Sequence, residues 1–342
     1  MSLQVIKYVA GGGKTTSAIN LLKNNKNGLY LAFNNKVVND VESKGYLSMT
    51  IDSLFVSYIL PKIKNLIPFF SKITKISYCD SELLPLYYKG AANLQIDSDG
   101  YICNGKKRTN FNLNDEIDKL NIVDKFPNKK FIKYLFGGDE LKLTDKLRNN
   151  LFNYVLDKYS LQLCKLIISR FSFVIIDEAQ DLKHHQEKFI RILSNCSYDV
   201  FLFGDDYQNI NGGGDWFNSL TANENINYSK RCPEDNCKWI RENLKIDIYG
   251  RTDRLGKVTI IKLSDTLKFD DGNRVLLYNS NNKTTEEIIK KWHGNKYTIK
   301  KSKGMTINND IVIIGKELNI KNMYTAITRT TFKVYLTATL KK

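Results

Sequence analysis

The run QVIKYVAGGGKTTSAINLLK, Gln4 to Lys23, constrains the fold more than any other stretch of the chain. Gln4 to Val9 is short and mostly apolar, which reads as a buried strand. Such strands belong to parallel sheets covered by helices. Thr15 to Lys23 then reads as a helix, so the three glycines fall in the turn between strand and helix. In that turn, successive backbone N–H groups converge on one point and the helix adds its positive end. This arrangement suits phosphate oxygens. The usual pattern of such a loop has glycine where Tyr8 stands here.

The same strand grammar recurs. GLYLAF (Gly28 to Phe33), FSFVIIDEAQDL (Phe171 to Leu182) and YDVFLFGDD (Tyr198 to Asp206) are apolar runs that end in polar residues. A buried parallel strand delivers side chains in this way to a ligand at its carboxyl end. Residues 59–165 break the rhythm with Lys, Asn, Phe and Tyr and with the turn signals DSDG and FGGDE. They read as an inserted subdomain. From about 221 the alternation resumes, with GKVTIIKL, NRVLLYNS, NDIVIIG and TFKVYLTA as strands and TEEIIKKW as an intervening helix. The expected fold class is α/β: two units with parallel sheets and one insertion in the first.

Chemistry is concentrated at three of these strand ends. In Gly11-Gly12-Gly13-Lys14-Thr15, Lys14 would reach the β- and γ-phosphates and the Thr15 hydroxyl would hold Mg²⁺. In VIIDEAQDL, Asp177 would complete the Mg²⁺ shell, and Glu178 would activate an attacking water. An acidic loop capping a helix does not explain four apolar residues, Phe173 to Ile176, leading into two carboxylates. In FGDDYQ, the amide of Gln208 is placed to sense the γ-phosphate or to position water. The net charge of +16 favours a polyanionic partner, although a lysine- and asparagine-rich coding bias would also raise it. No apolar run approaches the ~18 residues of a membrane span, and no signal-peptide layout opens the chain; an intracellular protein is expected. The six cysteines lack zinc-site spacing and read as reduced thiols. His184 and His185 read as surface or packing residues.

Taken in order, AGGGKT, FNNK, TIDSLF, DEAQD, GDDYQ, KRCP, KSKGMT and YTAITRT resemble the motif series of superfamily 1 helicases, closest to the UvrD-like branch. The series spans Ala10 to Thr330. UvrD-like loops commonly dispense with the first glycine, so Tyr8 is compatible with nucleotide binding. The resemblance implies two RecA-like P-loop NTPase domains with ATP and Mg²⁺ in the cleft between them. The first would comprise 1–58 and 166–220, the insertion 59–165, and the second 221–342. It further implies that Ala10, Gly11, Gly12, Gly13, Lys14, Thr15, Thr16 and Gly304 contact the nucleotide. Arg231 and Arg329 would be the arginines that reach the γ-phosphate. Phe33, Asn34, Thr50 and Trp216 would contact a single strand, with Trp216 either stacking on a base or packing in the core.

The series also departs from the family. Seven residues leave little room for the upstream glutamine motif that reads adenine, so weak discrimination among bases is expected. Thr306 stands where UvrD-type sequences carry a ribose-binding glutamate. The 71 residues between Arg231 and Lys303 cannot hold the family's large second-half insertion. The expected activity is that of a monomeric ATP-dependent motor on single-stranded DNA, with replication or repair proteins as further partners. The alternatives are an RNA-directed helicase of viral type and an ATP switch that binds nucleic acid without unwinding it.

Overall fold

The computed structural model describes residues 3–25, 27–33, 35–66, 75–78, 84–88, 91–96, 101–104, 107–112, 140–143, 145–196, 198–210, 214–279, 285–337 and 339–340. Backbone contacts divide the chain into two compact units. One comprises Met1–Ser48, Ser172–Glu187 and Ser197–Lys342, and the other Met49–Phe171 and Lys188–Cys196.

The first unit holds two parallel sheets. Sheet one is built from β1 (Leu3–Tyr8), β2 (Gly28–Ala32), β3 (Phe173–Ile176), β4 (Val200–Gly204) and β5 (Glu224–Ile226), in the order β5-β1-β4-β3-β2. A further edge strand starts at Ser48. Leu3 lies opposite Val200, Phe173 opposite Gly28 and Ile6 opposite Glu224. Every residue of β2 and β3 is buried, as their unbroken apolar sequences require. Helix α1 (Lys14–Asn24) buries Ala18, Ile19 and Leu22, which share a core with Ile6, Tyr8 and Phe203.

A parallel ribbon follows, made of β6 (Tyr228–Pro233) and β7 (Tyr249–Arg251). Sheet two then comprises β8 (Val258–Ile260), β9 (Val275–Tyr278), β10 (Lys296–Thr298), β11 (Ile311–Ile314) and β12 (Val334–Leu336), in the order β8-β12-β11-β9-β10. Helices α2 (Trp216–Ser219), α3 (Glu234–Leu244) and α4 (Ile320–Ile327) belong to the same unit. The core of sheet two gathers Ile240, Ile313, Met323 and Val334, and it also buries Val9 and Ala10 at the base of the glycine turn. The mixed α/β class with parallel sheets is therefore as expected. The expected boundary at 220 is crossed, because Glu224–Ile226 pairs with β1 as the edge of sheet one. This edge strand is three residues long and two of them are exposed, so it carries no apolar signal.

The second unit contains an antiparallel four-stranded sheet, Leu84–Tyr88, Ala91–Ile96, Tyr101–Asn104 and Lys107–Asn112. Lys75–Tyr78 pairs in parallel with Glu140–Leu143. Phe152 stacks on Phe55 with ring centroids 4.2 Å apart, and Arg148 is paired with Asp52 at 2.9 Å. Among the described residues, no helix is long and apolar enough to cross a membrane.

Candidate nucleotide site

The glycine turn takes its shape from backbone constraints. Gly11 and Gly13 have φ of +73° and +100°, a region that residues with a β-carbon seldom adopt. Gly11 is also sterically required: a β-carbon there would lie 2.7 Å from the Arg231 β-carbon and 2.8 Å from the Ser229 hydroxyl. Strand β6 presses on the turn, with Lys230 N–H donating to the Gly11 carbonyl at 2.9 Å and the Ser229 hydroxyl to the Ala10 carbonyl at 2.6 Å. Gly13 is the N-cap of α1 and supplies no side chain, so the first amides of the helix are left for a ligand.

Directly beside this turn lie the carboxylates at the end of β3. Asp177 is 2% exposed and accepts hydrogen bonds from the hydroxyls of Thr15 (3.1 Å) and Tyr30 (2.5 Å). Burial, reinforced by the adjacent Glu178, raises its pKa. For Glu178, burial acts in the same direction but is outweighed by Lys14, Lys303 and the Gln180 amide, which hold the carboxyl at about 2. The Lys14 ammonium lies 3.3 Å from Glu178, and Gln180 donates to the same oxygen at 2.5 Å. Glu178 itself has φ 56° and ψ 43°, a left-handed conformation that costs a non-glycine residue roughly 1 kcal/mol or more. Backbone strain at a strand end that aims a carboxylate into a site is a common mark of function.

The end of β4 adds a second buried acid. Asp205 is fully buried and accepts from Tyr207 N–H (3.0 Å), the Gln208 amide (2.7 Å) and the Tyr324 hydroxyl (3.1 Å). The amide nitrogen of Gln208 is therefore committed to Asp205, whereas the sequence suggested that it faces phosphate or water. Ala10 likewise serves as an anchor, since its N–H donates to the Tyr324 hydroxyl at 2.8 Å.

Helix α4 and the loop after β10 bring cations to the same place. Lys303 is 9% exposed in its side chain, pairs with Asp181 at 2.5 Å and donates to the Gln208 carbonyl at 2.6 Å. Arg329 is 1% exposed and donates to the Thr325 carbonyl at 2.9 Å. Burial, and then the nearby positive charge of Arg231, push its guanidinium below its ordinary value. Arg231 reaches the Met305 carbonyl (3.3 Å) and Thr306 hydroxyl (3.4 Å), and its buried Nε has no hydrogen-bond partner among the described residues. Two arginines that repel each other beside a glycine turn form a site suited to a polyanion.

The remaining expected residues are more scattered. Thr16 and Gly304 are exposed, the latter at φ +80°. Phe33 is half-buried and Asn34 lies outside the described residues. Thr50 belongs to the second unit, where its hydroxyl caps Ser53 N–H at 3.0 Å. Trp216 is 8% exposed, so a base could stack on it only after α2 has moved. Sequence reasoning missed Tyr30, Gln180, Asp205, Lys303 and Tyr324. Lys303 and Tyr324 stand in the quoted segments KSKGMT and YTAITRT, but nothing local betrays partners that lie about a hundred residues or more away.

Residues 144–226 match the family model of the UvrD/REP helicase N-terminal domain. This segment, about a quarter of the chain, is thus similar to UvrD-like helicase sequence. It contains the DEAQD and GDDYQ strand ends, so the resemblance to the UvrD-like branch of superfamily 1 stands on the residues that build the acidic side of the site. Among solved structures, the fold is similar to an arterivirus nonstructural protein 10 (helicase), at 11% identity and a TM-score of 0.47. That alignment covers 98% of this chain and 59% of the other. A complex of arterivirus nonstructural protein 10 with DNA aligns at 12% identity and a TM-score of 0.47, over 100% of this chain and 62% of the other. The chain thus spans about three-fifths of the length of these relatives. No curated protein matches it in sequence.

Proposed function

We propose that the chain is a nucleic-acid-stimulated nucleoside-triphosphate hydrolase, of the ATP-dependent kind the sequence resembles, that moves along single-stranded DNA, with the triphosphate bound between the two parallel-sheet halves of its first unit. One observation carries this reading. Lys14, Thr15, Asp177 and Glu178 from sheet one meet Arg231, Lys303 and Arg329 from the sheet-two side around a single glycine turn. The amides of Gly13 and the first turn of α1 would bind the phosphates, with Lys14 leaving Glu178 to reach them; the Gly12 N–H instead closes the turn on the Val9 carbonyl at 3.0 Å. Glu178 would then be the base for the attacking water, and Arg231 and Arg329 would stabilise charge on the γ-phosphate.

The paired oxygens of Thr15 and Asp177 are hard donors that fit Mg²⁺, which typically takes one or two protein oxygens plus phosphate and water. Among the described residues no cluster of three His, Cys, Asp or Glu side chains offers a competing metal site. When bound there, Mg²⁺ would neutralise phosphate charge. Functional halves at 1–58 with 166–220 and at 221–342, flanking the insertion 59–165, remain our proposed division, with Glu224–Ile226 contributed to the first sheet. The proposed strand contacts are Phe33, Asn34 and Thr50, with Trp216 only in a form in which α2 has shifted.

The test is turnover of ATP and of GTP by the full chain with single-stranded DNA, single-stranded RNA or neither. Stimulation by DNA is expected. Stimulation by RNA alone would favour the viral-type alternative, and tight strand binding without stimulated turnover would favour the switch.

A further inference from the structure

A cavity of about 420 Å³ opens where the phosphate cradle ends, between α1 and one face of sheet one. Its walls include Gly12, Ser17, Tyr8, Phe203, Glu224 and Lys230, all in the first unit. The volume is within the range of small-ligand sites. Tyr8, which stands at the position of the usual first glycine, lies beneath the turn: a β-carbon on Gly12 would approach its ring at 3.0 Å. The Tyr8 hydroxyl is bonded to Ser17, and its ring lies 5.9 Å from that of Phe203. Two fixed aromatic rings thus wall the cavity. At its mouth, the Lys230 ammonium lies 3.5 Å from where a β-carbon on Gly13 would be.

Glu224 supplies the polar specificity. It lies opposite Ile6, two residues before the end of β1, so it stands roughly 7 Å down the sheet from the turn. In-register neighbours in a parallel sheet point to the same face, and Ile6 faces α1. The Glu224 carboxylate forms no hydrogen bond or ion pair with the described residues. A carboxylate offers two acceptors and no donor. Guanine presents two adjacent donors, N1–H and the 2-amino group, whereas the corresponding edge of adenine pairs a donor with an acceptor.

We propose that this cavity holds the base of the nucleotide and that Glu224 selects guanine over adenine, with Tyr8 and Phe203 as its aromatic wall. The inference rests on the nucleotide-hydrolase reading but names a different purine from the ATP expected there. It replaces the weak discrimination expected from the sequence with a definite preference. Lys230 would bind the α-phosphate or the ribose hydroxyls as the nucleotide passes from cradle to cavity.

Two measurements on the full chain test it: calorimetric binding of GDP, IDP and ADP in the presence of Mg²⁺, and steady-state turnover of GTP, ITP and ATP. GDP should bind at least about tenfold more tightly than ADP, with IDP, which lacks the 2-amino group, in between. Glu224→Gln converts one acceptor to a donor and should bring the GDP-to-ADP ratio to near one or below. The side chain is exposed, so the variant should fold. Equal binding of GDP and ADP by the parent, or a ratio unchanged in Glu224→Gln, would overturn the proposal even if turnover is brisk. Selective GDP binding without turnover of any triphosphate would instead uphold the cavity and overturn the hydrolase reading.

Discussion

Lys14 and Glu178 form an ion pair at 3.3 Å in the structure, and in the proposed reaction phosphate would separate them before either acts. Lys14→Ala should therefore abolish nucleotide binding, whereas Glu178→Gln should bind normally and lose turnover by a factor of about 10² or more. Equilibrium binding and steady-state rates would measure the two effects. The same pair sets a pH dependence. The Glu178 carboxyl is held at about 2, below its ordinary 4.5. Its contribution to stability is thus fully present above 4.5 and is lost as pH falls toward 2. Between these limits, the urea midpoint of the parent should fall more steeply than that of Glu178→Gln. Once phosphate draws Lys14 away, Glu178 loses its nearest cation and should bind a proton more readily. The acid limb of kcat should then lie at higher pH than the acid limb of kcat/KM.

At the scale of elements, α4 links the halves. Its Tyr324 hydroxyl bridges Ala10 N–H and Asp205, and the chain just beyond its end carries Arg329. Tyr324→Phe leaves two buried polar groups short of a partner and should cost about 1–3 kcal/mol in denaturant unfolding. Because the bond positions the glycine turn relative to Arg329, turnover should fall more than nucleotide affinity does. How much of this was legible in the sequence depended on the kind of element. Strands β1 to β4 and β9, β11 and β12 announce themselves as apolar runs, and the residues at their ends identify Lys14, Thr15, Asp177 and Glu178. Strand β5 and the β6–β7 ribbon are short and partly exposed, so periodicity is silent about them. The Tyr324 bridge and the Lys303 ion pair are long-range contacts with no local signature. Trp216 illustrates a different limit, because an aromatic residue after a glycine-rich turn suits a base platform and a packed helix equally well.

For the molecule as a whole, the +16 charge predicts strand binding dominated by phosphate contacts. Affinity for a single-stranded oligonucleotide should fall by about 10³-fold or more between 50 and 200 mM salt if some six to ten phosphates are neutralised. It should vary little with base sequence, because stacking on aromatic side chains tolerates any base. Fluorescence anisotropy at several salt concentrations, with oligonucleotides of different composition, would measure both terms. A shallow salt slope would mean that the charge lies away from the bound strand.

The register of sheet one has a consequence for synthesis on the ribosome. Strand β1 is made some two hundred residues ahead of its neighbours, Val200–Gly204 and Glu224–Ile226. At about 5–20 residues per second, roughly ten to forty seconds separate the appearance of β1 from that of its partners. Throughout that interval an apolar strand and its glycine turn have no sheet to join, while the intervening second unit is being made. The nascent chain is therefore a natural client for a holding chaperone. Abrupt translational pausing before residue 200 should leave it prone to aggregate through β1.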